Sequence, residues 1–186
     1  MTHYELTIAL FTIVYGLMLA EIFMSVHRLL RAGKKVKWHW LPILTTWYLV
    51  LVILKNWWDL AFAAEELPKI TIYLFIGNAH VLIVLFLLAS AVLPDKICEQ
   101  NLNLKDYYFG NHRYFWGLMS TLILLLMIIN FLRLISDNNQ INIFPAIAQI
   151  IFFGLTILMS FSKKYWLHSV LLVVFVLMTF LEIINM

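Results

Sequence analysis

One cysteine, four prolines, six glycines and a charged fraction of 12% are sparse material for a 186-residue chain. A single cysteine excludes a disulfide framework and a cysteine-rich metal module. So little glycine and proline excludes collagen-like and flexible-linker sequences, and so little charge excludes a disordered chain. A Walker A loop, a nucleophile elbow, a His-Glu-x-x-His helix, a dinucleotide fingerprint and an EF-hand loop are all missing. No catalytic residue is assigned, and hydrolytic or phosphoryl-transfer chemistry is not expected. What the chain has in plenty is apolar surface, with 63% hydrophobic and 16% aromatic residues. Soluble domains carry about 25% charged residues. This chain has too few to coat a water-facing surface, so its expected solvent is lipid.

A helix crossing the hydrocarbon core needs about 20 mostly apolar residues. Six segments meet or approach that length: about 5–30, 39–63, 70–93, 113–135, 142–162 and 166–185. Continuous runs such as Val81 to Ala89 and Val170 to Met178 are unlike the short alternating segments of outer-membrane barrels. Backbone groups in lipid must be satisfied within the segment, so these runs predict helices. The expected fold is all-α: a single transmembrane domain, residues 1–186, forming a six-helix bundle. The N-terminus lacks a basic region ahead of its apolar run, so the first helix is expected to stay in the mature protein. The connector 94–111 mixes charges with Ile97, Leu102, Leu104, Tyr107 and Tyr108, and is expected to lie in the headgroup layer, with Cys98 a free thiol.

Lysine and arginine set the orientation. Arg28, Arg31, Lys34, Lys35 and Lys37 follow the first span, Lys96, Lys105 and Arg113 the third, and Lys163 and Lys164 the fifth. The other side holds only Lys69 in a loop. By the positive-inside rule the basic loops are cytoplasmic and both termini lie outside, in the cell's inner membrane. Topology thus accounts for the net charge of +3, and no nucleic-acid partner is implied. Trp38, Trp40, Tyr107, Tyr108, Tyr114, Trp116, Tyr165 and Trp166 fall at the same predicted edge, where amphipathic rings collect. An echo links Arg28-Leu-Leu and Trp-Leu-Pro42 to Arg133-Leu-Ile and Phe-Pro145. Three-helix halves of inverted sense would produce it, and so would chance reuse of one turn chemistry.

Charges at mid-membrane cost on the order of 2.5–3.5 kcal/mol, so each needs a partner, a cavity or an escape to the interface. Lys55, Asn56 and Asp59 lie on neighbouring positions of one helix face. With Asn78, His80, Asn130, Arg133, Gln149 and Glu182 they fall between mid-membrane and the outer face. These residues are expected to line a polar pocket that binds an ion or small solute, Arg133 reaching Glu182 or Asp59. Interhelical hydrogen bonds and snorkelling would use the same residues without a ligand. Glu21, two turns from Arg28, reads as a poorly partnered carboxyl and a proton-coupling candidate. His27, His39, His112 and His168 lie near the basic edge on four helices, which makes them weak candidates for a metal or for haem axial ligation. No cofactor is predicted from them.

Asn56-Trp57-Trp58, Leu93-Pro94-Asp95 and Asp106-Tyr-Tyr-Phe109 running into His112-Arg113-Tyr-Phe-Trp-Gly-Leu118 resemble a group of small bacterial multi-pass inner-membrane proteins. The resemblance covers most of the chain and implies a bacterial cytoplasmic membrane; it brings no activity with it. The expected function is transport by a small channel or carrier acting as a homo-oligomer. A non-enzymatic sensor is the alternative. Trp38, Trp40, Lys105, Tyr107, Tyr108, Arg113 and Trp116 would then dock a cytoplasmic protein or anionic lipid. A redox protein holding haem or quinone is the third reading.

Overall fold

Where each helix starts and stops follows from local chemistry. The computed structural model describes residues 3–62, 72–95, 102–137 and 143–184, apart from the side chains of residues 3, 4, 74, 133–137 and 143–145. Among them, α1 (His3–Ala32) ends at Gly33, whose φ of 54° suits the left-handed residue that closes a helix. A single 3-10 turn (Gly33–Lys35) and the two-residue strand β1 (Val36–Lys37) follow. Helices α2 (Trp40–Phe62) and α3 (Ile72–Ala91) come next, then the second short strand, β2 (Leu102–Asn103). The chain continues through α4 (Leu104–Asp137), α5 (Ile143–Phe161) and α6 (Tyr165–Ile184).

Helix α4 begins earlier than expected. Residues 104–111 are its first two turns, so this part of the connector is helical and continuous with the fourth apolar segment. Asn103 explains the start: its Oδ1 accepts from the Lys105 backbone N–H at 3.1 Å, and its Nδ2 donates to Asp106 Oδ2 at 2.8 Å. That is a cap joined to an acidic first turn, a strong nucleus for a helix. Upstream, β2 pairs in parallel with β1, Val36 opposite Leu102 and Lys37 opposite Asn103. Cys98, Ile97 and Lys96 lie outside the described residues.

The helices pack in the spatial order α1–α3–α4–α5–α6–α2, which closes on itself, and α2 and α4 meet across the middle. The interior is largely apolar, with Met18, Ile22, Leu49, Ile53, Leu85 and Phe175 buried from four of the helices. Large apolar side chains also cover the outside, from Ile13 and Leu17 on α1 to Leu177 and Leu181 on α6. Monomeric soluble proteins rarely expose so much contiguous apolar surface. Four stretches, Glu5–Lys35, Trp40–Phe62, Leu104–Leu132 and Tyr165–Ile184, are long and apolar enough to cross a membrane. Phe75–Ala91 and Ala146–Phe161 are shorter apolar helices. The protein is thus an all-helical bundle compatible with a membrane. Exchanging the two halves does not map its packing onto itself. The extensive contacts of α3 with α4 and of α2 with α6 have no counterpart of similar extent among the described residues.

Candidate functional site

Two polar regions lie at opposite ends of the bundle, separated by the largely apolar interior. At the end away from the basic turn, Lys55 and Asp59 stand one turn apart on α2, and their side chains meet at 2.8 Å. Glu182, near the end of α6, approaches the same ammonium at 3.7 Å. One cation is thus shared by two carboxylates from two helices. Lys55 is the most enclosed of the three, with 24% of its side chain exposed against 43% and 59% for Asp59 and Glu182. Beside them the Tyr15 hydroxyl donates to Asn56 Oδ1 at 2.6 Å, and the Trp57 indole donates to Thr12 at 3.1 Å. These bonds tie α1 to α2 as the ionic cluster ties α2 to α6.

Among the described contacts, those of Lys55, Asn56, Asp59 and Glu182 join α1, α2 and α6. Of the remaining candidates, Asn78 and Gln149 are half-buried on α3 and α5, while Asn130 is exposed on α4. His80 is exposed, and its ring bonds to the Ile76 carbonyl of its own helix at 2.7 Å. The side chain of Arg133 lies outside the described residues. Gly77 lets α3 pack closely on α4, since a Cβ there would stand only 3.2 Å from Ile129.

Towards the basic end, Glu21 is not left alone. Arg28 comes within 3.5 Å of it, donates to Ser25 Oγ at 2.8 Å and stands 3.7 Å from Asp95 at the end of α3. A guanidinium on a long stem bridges the two turns that sequence spacing puts between them. Glu21 is thus a partnered group, and the solitary carboxyl expected from the sequence is corrected.

At the same end of the bundle is a hydrogen-bond chain that spacing alone did not assemble. The His168 Nε2 sits 2.7 Å from the Ser162 carbonyl, which can only accept, so Nε2 carries the proton. Nδ1 is then free to accept from the Tyr108 hydroxyl at 2.9 Å, and Tyr108 in turn accepts from the Trp116 indole at 3.0 Å. His112 packs against His168 with ring centroids 5.9 Å apart. Its Nδ1 bonds to the Phe109 carbonyl at 2.7 Å, and its Nε2 is buried without a hydrogen-bond partner among the described residues. Above the chain, Phe175 stacks among Tyr48, Trp116 and Phe152.

These contacts revise two sets of expectations. Tyr108 and Trp116 are 6% and 0% exposed, so they are core residues and cannot belong to a docking face. Trp38, Trp40, Lys105 and Arg113 are exposed, and Tyr107 is half-buried, donating to the Ala91 carbonyl at 3.0 Å. Of the four histidines, only His112 and His168 come together. His27 is exposed, and His39 sits against Trp40 and Tyr165. Among the described residues no group of three or more His, Cys, Asp or Glu could hold a metal ion. Burial, and then the nearby Lys105 ammonium, lower the His39 imidazole below its ordinary pKa just ahead of α2. The same ring accepts from the Leu41 backbone N–H at 3.3 Å, capping the first turn. No protein-family model, curated protein or solved structure matches the chain.

Proposed function

We propose that the chain is a six-span protein of a bacterial cytoplasmic membrane that passes a small ion or polar solute, here in an occluded form. Helices α3 and α5, with 20 and 19 residues, extend about 30 Å at 1.5 Å per residue, which matches the hydrocarbon thickness and supports six crossings. The weight of Lys and Arg at the Gly33 end supports a cytoplasmic basic face with both termini outside. The observation that carries the transport reading is the Lys55–Asp59–Glu182 cluster. It lies in the outer half, over a plug of Tyr48, Phe175 and Trp116, with Glu21 and Arg28 on the far side. Ionisable groups at membrane depth are expensive, and a shared cation between two carboxylates is a site where a permeating ion can compete.

The test is flux in vesicles carrying the purified protein, read with potential- and pH-sensitive dyes under gradients of H⁺, Na⁺, K⁺ and Cl⁻. One of these gradients should dissipate faster than in protein-free vesicles, and Lys55→Met should slow it by about tenfold or more. Asp59→Asn should do the same. Flux no faster than in protein-free vesicles for every ion, with no uptake of radiolabelled small polar solutes either, or unchanged flux in both variants, overturns the reading. A second reading, docking of a cytoplasmic protein, is favoured by one observation: the basic end is ordered by strand pairing and carries exposed Trp38, Trp40 and Lys105.

A further inference from the structure

An open groove of about 410 Å³ runs between α1 and α2 at the basic end of the bundle. Ile22 and Leu29 form part of its floor, and Trp38, Ile43 and Trp47 stand along its exposed walls. Thr46 is its one polar lining residue, and that hydroxyl is already committed to the Pro42 carbonyl at 2.8 Å. Apart from the indole N–H groups of Trp38 and Trp47, nothing in the groove asks for a hydrogen bond, so it suits hydrocarbon. Ordinary lipid would wet any apolar face, but charge at the mouth narrows the choice of occupant. Leu30 and Trp38 both line the groove, and the chain between them is the basic turn with exposed Lys34, Lys35 and Lys37. These lysines form no ion pair among the described residues, whereas neighbouring Arg28 is engaged by Glu21 and Asp95. Lys34, Lys35 and Lys37 follow within four residues of Gly33 at the end of α1, which the proposed topology puts among the lipid phosphates. The Trp38 indole, 45% exposed, belongs at the same interface.

We propose that this groove is a binding site for one anionic phospholipid, its acyl chain lying along Ile43 and Trp47 and its headgroup phosphate over Lys34 and Lys35. The site needs the membrane placement of the bundle but not transport, so a protein that passes no ion would still bind the lipid. The lysines attract the phosphate and the negative headgroup, the indole anchors the glycerol region, and the groove takes the chain. Phosphatidylglycerol fits this chemistry, and zwitterionic phosphatidylcholine lacks the net charge.

The test uses the full-length protein in mild detergent, titrated with phosphatidylglycerol or phosphatidylcholine of matched chains, with retention read by native mass spectrometry. One phosphatidylglycerol per chain should be kept with about tenfold preference. Lys34→Gln, Lys35→Gln and Lys37→Gln together should erase the preference; all three side chains are exposed, so the fold should survive. Phosphatidylglycerol carrying a photoreactive group in its acyl chain should cross-link to α1 and α2 around Phe23, Ile43 and Trp47. Equal retention of both lipids, an unchanged preference in the triple variant, or cross-links confined to other helices would each overturn the site. Displacement by millimolar glycerol phosphate alone would reduce it to an anion patch and overturn the acyl-chain assignment.

Discussion

Trp116, Tyr108 and His168 show how little distinguishes a core aromatic from an interfacial one when only the sequence is read. Residues of both kinds stand near the predicted edge, and both carry a polar tip on an apolar body. A signal was nonetheless present: Tyr108, His112 and Trp116 recur at four-residue spacing, so they share one stripe of α4. That stripe turns inwards, where the Tyr108 hydroxyl both accepts and donates. Tyr108→Phe should therefore strand an indole N–H and an imidazole nitrogen together, at a cost of about 2 kcal/mol. Ser120→Ala should cost less, because Thr156 keeps its bond to the Phe153 carbonyl. Thermal unfolding in detergent compares them, and equal losses would mean that the chain through Tyr108 adds nothing special.

His39 belongs to the same scale. Its lowered pKa means that the folded protein takes up a proton there less readily than the unfolded chain. The stability it contributes is whole above the ordinary imidazole range and is lost as pH falls through the lowered value. Acidification should destabilise the protein more than His39→Asn, and Lys105→Met should shallow the slope. Parallel pH profiles for all three would contradict this. The Lys55–Asp59 pair was legible because i,i+4 spacing alone brings the two together. The approach of Glu182 was not, because it depends on α6 packing beside α2.

Helices were the easiest elements to foresee, since long apolar runs leave the backbone few alternatives. Their ends were harder. The last eight residues of the connector 94–111 belong to α4 because Asn103 and Asp106 form a cap, a signal of three-residue spacing overshadowed by the mixed charge and aromatics around it. The α3–α4 contact depends on one small residue. Gly77→Ala should push a methyl against buried Ile129 and destabilise by about 1–2 kcal/mol. Ile129→Ala in the same chain should recover part of that loss, so that the double variant is more stable than the two single costs added together. Strict additivity in unfolding measurements would show that the helices have room to part.

For the molecule as a whole, apolar composition correctly pointed to a bundle with a lipid-like exterior. The spatial order of helices was beyond sequence reasoning, because apolar faces of similar character do not name their neighbours. The proposed orientation is open to direct measurement. With Cys98 replaced by alanine, cysteines at exposed Lys34 and Lys164 should react with impermeant maleimide only after the cells are opened, while one at Leu6 should react in intact cells. Labelling of Lys164→Cys from outside would invert the topology or remove a crossing.

The two-residue strand pair, so small that it adds little stability, imposes an order of events on synthesis. Val36 emerges from the ribosome long before Leu102, and the whole of α2 and α3 lies between them. Under the proposed six-span topology, pairing waits until that helical hairpin has been threaded and has returned to the side it left. Only then can Asn103 fix the start of α4 at the same edge. In that topology, a chain in which just one of the two helices crossed would leave Leu102 and Val36 on opposite sides, so the clasp would form only when α2 and α3 are placed as a pair.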